Sequence, residues 1–477
     1  MDVIVRLLRL DDDLITITFT RLLLRSFFWN YSIGTLTMGR KIANTIRRTV
    51  IGVEPDRISC LPGHVIDQIL SYLPIREAVK TSVLSSEWRN KWHTLPNIVF
   101  DLNCVSNIEA IKDPSIFMSK LLRIVDHVLL LHSGPINKFQ LSDPGCDLSD
   151  VNSVADIDRW ILRLTEKSIK EFVLQIFVAK KYYKIPQCLF SCQSLQNLKL
   201  DCCCIQPPTT FKGFKNLKSL ELYQVTMAQD AFENLISGCH LLEDLKLLYL
   251  EGLTQLNIHA PNLKKFLIVG DFVDFSFDNT FQLTELGLFS FDSRSNHSQL
   301  RGCSSNLLRF FAHLPHIESL VISSQFLKYL DAGDVPVKLP TPCINLSSLF
   351  ICIRFNDLKQ ILAALCLLRS SPNLRRLEIA AKLEKHTDLL TPASYCWKDV
   401  FLEPPVPLRV RHVSIKGISD NTSELDFIRF LLMYSPMLEK MTVKLEINVT
   451  PELMTKIIQF KRASEQAEVI YQENDSS

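Results

Sequence analysis

LQNLKL (195–200), LKSLEL (217–222), LEDLKL (242–247), LKKFLI (263–268) and LTELGL (283–288) are five copies of one template: apolar, two positions, apolar, one position, apolar. Their starts lie 22, 25, 21 and 20 residues apart. The last two apolar positions of each copy are separated by two, the strand period, so both face the same side. A single strand of this kind cannot bury that side alone; it needs a neighbour stacked on it. Outward from these five, the template returns as INKFQL (136–141) and IKEFVL (169–174), then as IESLVI (317–322), LSSLFI (346–351), LRRLEI (374–379), VRHVSI (410–415) and LEKMTV (438–443).

Recurrence at this period, one strand per copy, is the leucine-rich-repeat signature and predicts a solenoid with a parallel sheet on its concave side. Several return segments have helical spacing: Gln229 to Ser237, Asp357 to Arg369 and Glu424 to Tyr434. Each ends at Gly-Cys or Ser-Pro, where the chain turns back into the next strand. Ser115 to His132 is apolar at helical spacing but interrupted by Lys120, Arg123 and Asp126, which predicts a packed helix capping the N-terminal end of the solenoid.

Ahead of the repeats, Asp56 to Asp101 has a different pattern. Leu61-Pro62 opens it, the prolyl ring presetting a helix entry. Val65, Ile66, Ile69, Leu70 and Leu73 recur at three- and four-residue steps until Pro74 stops the helix. A second helix runs through Ala78 and Val79 to Leu84, and Ser85 caps a third carrying Trp88 and Trp92. Three short helices bury little by themselves, so part of this apolar surface calls for a cover.

The charge balance of +2 gives no general reason to expect nucleic acid or an anionic membrane as partner. Fourteen cysteines without a paired spacing scheme favour a reducing compartment, cytoplasmic and/or nuclear. Charged residues interrupt the apolar stretch Val3 to Ile33 before it reaches the ~20 residues of a membrane span. Residues 1–55 read as a disordered N-terminal arm, with translation starting at Met38 and 1–37 a gene-model extension.

Leu61-Pro62, the Ile69-Leu70-x-x-Leu73-Pro74 block, Val83-Leu84-Ser85 and the Trp88…Trp92 pair together resemble the F-box. Cys396-Trp397, VRHVSIKG, SPMLEKMTV and FKRASEQAEVIY (460–471) resemble the FBD domain. Set around leucine-rich repeats, they resemble the plant F-box/FBD/LRR family over Asp56 to Tyr471. The implied fold is α/β: a short all-α F-box (56–102), an irregular solenoid (103–395), FBD-like repeats (396–471) and a tail (472–477). Gly63-His64 departs from the family, which usually has an acidic residue there.

The resemblance implies a non-catalytic substrate receptor of an SCF-type ubiquitin ligase, docking on a SKP-family adaptor and through it a cullin, and needing no cofactor. Carried over residue by residue, the adaptor-facing set is Leu61, Pro62, Ile66, Ile69, Leu70, Leu73, Pro74, Val83, Leu84 and Trp88. The alternative is a scaffold of the same build whose F-box no longer recruits a cullin.

Along the repeats, the position between the two inward residues reads Lys199, Glu221, Lys246, Leu267, Gly287, Val321, Phe350, Glu378, Ser414 and Thr442. Two residues on, the same face carries Val269 and Phe289 in its middle and Lys416 and Lys444 at its end. An apolar middle rimmed by charge has the make-up of a protein-binding site, with Leu267, Val269, Phe289, Val321 and Phe350 as target contacts. The competing reading is that a long inter-repeat segment, Asp292 to Ser305 or Asp331 to Pro342, folds over it.

No nucleotide, zinc-protease or hydrolase motif is present. Cys188, Cys192 and Cys202-Cys203-Cys204 flank a strand, where adjacent residues alternate faces, so they cannot all converge on a metal. The sequons at Asn296, Asn345 and Asn448 read as chance matches. Arg375-Arg376 with Arg409 and Arg411 reads as a solvated strand edge, with polyphosphate binding as its alternative. Leu220→Ala, in a central strand, is expected to cost about 2–5 kcal/mol of unfolding free energy in a denaturant titration.

Overall fold

The computed structural model describes residues 61–472, apart from 102–103, 106–113, 148–150, 178–181, 254, 271–273, 290–309, 312–313, 331–334, 383–406, 420 and 447–451. The N-terminal arm with Met38, the 292–305 segment, Cys396-Trp397, and the sequons at Asn296 and Asn448 lie outside the described residues.

Pro62 stands at the cap of α1 (Gly63–Ser71) and Pro74 at the cap of α2 (Ile75–Lys80), each with φ of −56°. That is the dihedral the ring enforces and a helix start accepts. A 3₁₀ turn over Thr81–Val83 leads to α3 (Ser86–Arg89). The third helix differs from expectation. It breaks at Asn90, and Trp92 belongs to a separate 3₁₀ turn, Lys91–Thr94. Ser85 precedes α3 in an extended conformation but makes no side-chain cap bond. Both indoles are buried.

The chain then enters β1 (Asn97–Phe100), crosses back through α4 (Pro114–Leu131) and forms β2 (Lys138–Asp147), α5 (Val151–Glu166) and β3 (Glu171–Phe177). It continues through β4 (Tyr183–Lys184), β5 (Asn197–Asp201), β6 (Cys203–Ile205), β7 (Ser219–Tyr223), β8 (Thr226–Met227), α6 (Gln229–Gly238) and β9 (Asp244–Leu248). Next come β10 (Gln255–His259), β11 (Lys265–Val269), β12 (Asp274–Asp278), β13 (Glu285–Phe289), β14 (Ser319–Ile322), α7 (Ser324–Leu330), β15 (Ser348–Ile353) and α8 (Leu358–Arg369). The last elements are β16 (Arg376–Ala381), β17 (His412–Ile418), α9 (Thr422–Tyr434), β18 (Lys440–Leu445), α10 (Glu452–Ile458) and β19 (Glu468–Tyr471).

Fourteen of these strands form one sheet in chain order, β1-β2-β3-β5-β7-β9-β11-β13-β14-β15-β16-β17-β18-β19, and every pairing is parallel. Two smaller parallel sheets, β4-β6-β8 and β10-β12, line the return segments. The expected solenoid is therefore present, and it is longer than the template predicts by one strand at each end.

The first extra strand was legible. Leu95-x-x-Ile98-x-Phe100 fits the repeat template, but it lies inside the helical segment's own motif. It displaces the expected cap: α4 is the crossover between β1 and β2, not the end of the array. The last strand was less legible, because in register Gln466 stands where the template wants its first apolar residue.

The repeats are locked by a recurring backbone bond. The carbonyl of Gln196 accepts from the N–H groups of Lys218 and Ser219, Lys218 from Glu243 and Asp244, Glu243 from Lys264 and Lys265, and Lys264 from Thr284 and Glu285, all at 2.7–3.0 Å. A second ladder uses the residue before the template. Ser194, Asn216, Asn262 and Asn373 each donate to a carbonyl of the preceding repeat at 2.8 Å, and Asn345 does so at 3.3 Å. These bonds tie each turn to the turn of the preceding repeat. Directly after β5, β7 and β9, Cys202, Gln224 and Tyr249 take left-handed φ of 54°, 48° and 56°. No glycine marks those turns, so nothing in the local sequence announces them.

The helical segment is joined to the array by the same bonding. His132 Nε2 donates to the Leu95 carbonyl at 2.8 Å, and Ser133 and Gly134 N–H groups donate to the His93 carbonyl. Lys167 reaches back to the Ser133 and Gly134 carbonyls. Gly134 passes so near Thr94 that a Cβ would lie 2.8 Å from its Cα. Phe100, Phe139 and Phe172 on β1, β2 and β3 continue the contact in the core, with ring centroids 5.8 and 5.9 Å apart. Phe139→Ala removes the middle ring and is expected to cost about 3–5 kcal/mol in urea denaturation. A loss below ~1 kcal/mol would show that the junction closes over the gap.

Candidate protein-interaction site

Adjacent residues on a helix point about 100° apart, and on α1 that difference separates two apolar faces. Ile66 and Leu70, one turn apart, are fully buried in the continuous core. Val65, Ile69 and Tyr72, the i, i+4, i+7 set one step round, look outward: Ile69 is 37% exposed and Tyr72 79%. Val83 and Leu84, on the turn before α3, are 86% and 48% exposed. Leu61 and Leu73 are half-buried against the core, and Pro62 and Pro74 are exposed.

The sequence reading merges the two faces. Ile66, Leu70 and Trp88, all expected to face a partner, are core residues, because the segment's own packing uses them. Tyr72 was missed; its i+7 relation to Val65 was the available signal. The exposed apolar set is thus Ile69, Tyr72, Val83 and Leu84, beside Leu61, Pro62, Leu73 and Pro74. Charge borders it: Lys91 pairs with Asp67 at 3.2 Å and Lys80 with Glu77 at 2.6 Å. Exposed apolar residues bordered by charge suit protein contact.

The second candidate is the sheet face turned away from the core. Register confirms the row read from the template: Lys199, Glu221, Lys246, Leu267, Gly287, Val321, Phe350, Glu378, Ser414 and Thr442 are successive partners on ten adjacent strands. At the N-terminal end the face carries a chain of side-chain hydrogen bonds and ion pairs. Gln140 donates to Ser142 at 3.0 Å, Ser142 to Gln175 at 3.0 Å, and Gln175 to Asp201 at 2.9 Å. Glu221 sits between Lys199, which it contacts closely, and Lys246 at 3.5 Å. Burial pushes the Glu221 carboxyl up, but the two ammonium groups outweigh it and hold its pKa below the ordinary value. Burial raises that of neighbouring Asp244, only partly opposed by Lys246.

In the middle of the face the expected exposure does not hold. Leu267, Val269, Phe289, Val321 and Phe350 are at most 7% exposed. They are shielded from solvent, yet they lie outside the continuous core. Local packing accounts for part of this. Opposite Leu267 stands Gly287, where a Cβ would lie 2.7 Å from the leucine Cδ1 and 3.6 Å from the Phe289 ring. The missing side chain lets both neighbours lie down on the sheet. Alternating burial at β5, β7 and β9 gives way at β11, β13 and β14 to burial of both faces.

Among the described residues, no group of three or more His, Cys, Asp or Glu side chains is placed to hold a metal, and no helix is long and apolar enough to cross a membrane.

Comparison with known proteins gives two family matches. The F-box domain matches residues 58–100, and the family described as "FBD-associated F-box protein At5g56370, LRR repeats" matches residues 157–379. Among similar proteins of Arabidopsis thaliana, F-box/FBD/LRR-repeat protein At1g13570 is 37% identical over 425 residues, 88% of this chain and 99% of the relative. F-box/LRR-repeat protein At3g26922 is 31% identical over 46% of this chain and 69% of its own length. FBD-associated F-box protein At1g66310 is 26% identical over 87% and 96%.

A group whose folded pKa is depressed stabilises the fold above its unfolded value and loses that contribution as pH falls through the folded value. Glu221→Gln is therefore expected to lower Tm at neutral pH, with the gap from the parent narrowing as pH falls through the carboxylate range. A gap independent of pH would show that the Lys199–Glu221–Lys246 charges contribute nothing.

Proposed function

This chain belongs to the plant F-box/FBD/LRR-repeat family, and on that premise we propose that it is the substrate-recognition subunit of an SCF-type ubiquitin ligase. The observation that carries the reading is the exposure of Ile69, Tyr72, Val83 and Leu84 within a segment whose Ile66, Leu70, Ile75, Trp88 and Trp92 side chains are buried. Binding a SKP-family adaptor is the general property of an F-box; here those four, with Leu61, Pro62, Leu73 and Pro74, form the adaptor contact. Ile66, Leu70 and Trp88 shape that contact from beneath.

Through the adaptor the chain joins a cullin, and the repeats, with the FBD-like stretch 396–471 as their C-terminal part, hold a target protein. Ubiquitin transfer is carried out by other subunits, so the chain itself is a receptor that works in the cytoplasm and/or nucleus. Because Leu267, Val269, Phe289, Val321 and Phe350 are buried, target contact in this reading falls to the accessible stretches of the sheet face on either side of them. Continuity of β1 with the repeat sheet supports the reading physically. An adaptor held on the F-box and a target held on the repeats keep one fixed separation.

One observation favours a second reading, a repeat scaffold whose F-box no longer recruits a cullin. Gly63-His64 stands where the family usually has an acid, and the first turn of α1 has no acidic residue. A carboxylate there would favour the helix N-terminus by a few tenths to about 1 kcal/mol.

Val83→Asp separates the two, because the side chain is exposed and its replacement leaves the core intact. In the ligase reading, the parent co-purifies with adaptor and cullin, and Val83→Asp loses both with unchanged Tm. Absence of both from the parent supports the scaffold. Retention of the adaptor by a Tyr72→Asp, Val83→Asp double variant would reject this surface as the contact.

A further inference from the structure

The strand at the edge of a sheet turns a row of main-chain groups outward, and such a row is a template for pairing with another strand. At the C-terminal edge of the main sheet that strand is β19. Its register against β18 runs from Glu468 opposite Lys440 to Tyr471 opposite Val443. Glu468 N–H donates to the Glu439 carbonyl at 2.9 Å, and Gln472 N–H to the Val443 carbonyl at 3.0 Å. Alternate residues of a parallel strand bond to opposite sides, so the N–H and C=O groups of Val469 and Tyr471 point away from β18. Among the described residues, no strand lies beyond β19.

The core is open at the same place. Val469 and Tyr471 are the register partners of Met441 and Val443, both fully buried, and so lie on the core side of the sheet. Tyr471 is nonetheless 38% exposed, and Val469 is half-buried. Ile458, which ends α10 on the return from β18 to β19, is 49% exposed. The usual means of blunting an edge are a lysine, a proline or a bulge. β19 reads Glu-Val-Ile-Tyr, pairs with β18 without a register shift, and has its one charge opposite Lys440.

We infer that this edge pairs with the same edge of a second copy of the chain, antiparallel and about a two-fold axis through Ile470. The strand is self-complementary in that register. Val469 of each copy meets Tyr471 of the other in the hydrogen-bonded positions, where each pair exchanges both of its N–H and C=O groups. Ile470 meets Ile470 in the closer, non-hydrogen-bonded position, and Glu468 stands opposite Gln472, so like charges do not meet. A β-branched residue against an aromatic one is a favourable cross-strand pair. Centred on Val469 instead, the pairing sets Glu468 against Ile470, a charge against an apolar side chain. An axis perpendicular to the sheet keeps both core faces on one side, which brings the open core ends of the two copies together. Such a contact closes at two copies. The inference goes beyond the receptor reading and holds whether or not the F-box recruits an adaptor.

Light scattering of the full chain during size-exclusion chromatography is expected to give twice the chain mass, with the dimer fraction rising with concentration because the contact is small. Ile470→Lys and Ile470→Glu each set like charges directly opposite across the axis, and each variant alone is expected to run as a monomer with unchanged circular dichroism. Mixed in equal amounts, the two variants set lysine against glutamate and are expected to restore the dimer. Tyr471→Pro removes an outward N–H and no bond to β18, and should also be monomeric. A parent that stays monomeric at every concentration, a mass that grows past two copies, a dimer kept by either single variant, or a mixture that stays monomeric would each overturn the proposal. The first of these is also the result if the chain's own tail or a strand of another protein takes the edge.

Discussion

Four residues of backbone pairing, Asn97–Phe100 against Lys138–Leu141, are the contact on which the two ends of this molecule depend. Without it the helical segment would be a small module on a tether, with too little core to be rigid. With it, Ile98 and Phe100 enter the same continuous core as the repeats, and the bonds from His132, Ser133, Gly134 and Lys167 close the seam behind them. The spacing between the helical segment and the repeats is determined by a hydrogen-bonded sheet and not by linker length.

Apolar residues in this chain do two jobs that composition cannot separate. On α1 and its C-cap, Ile66 and Leu70 hold the segment together while Ile69 and Tyr72 stay exposed. On the sheet, inward positions such as Ile268 and Leu288 belong to the continuous core, whereas Leu267 and Phe289, one residue away, are buried outside it. The middle of the sheet is therefore apolar on both faces, as parallel sheets covered on both sides generally are. At the start of β11 and β13 the pair Lys265–Glu285 borders this apolar middle, and charges are used differently at the two ends of the sheet. At one end lysines alternate with carboxylates; at the other, Lys416 stands directly opposite Lys444.

Legibility in the sequence followed the range of the determining interaction. The template reports short-range alternation, and twelve of the fourteen strands in the main sheet were readable from it. β1 fits the same template but was claimed by the neighbouring motif, and β19 breaks it at Gln466. The left-handed turns at Cys202, Gln224 and Tyr249 left no trace, because their residues are ordinary and only the stacked repeats enforce the backbone there. The two faces of α1 could have been separated by helical phase alone. Which of them met the core could not, since that depends on where β1 and α2 lie.

The sequence by itself determined the repeat architecture, the helical segment before it and the family, because each rests on periodicity and on the order of residue types. It also placed the sheet-face row correctly, since alternation within a strand leaves no freedom once the inward pair is known. Tertiary structure decided what that row amounts to. Register sets Lys199 and Lys246 beside Glu221 but Lys416 beside Lys444, and repeat spacings between 20 and 36 residues hide which charges will be neighbours across the sheet. It also decided exposure: Leu267 and Phe350 are buried and Val83 is open to solvent, though composition treats all three alike. Burial is a property of what packs above a side chain, and that is set by chain distant in sequence.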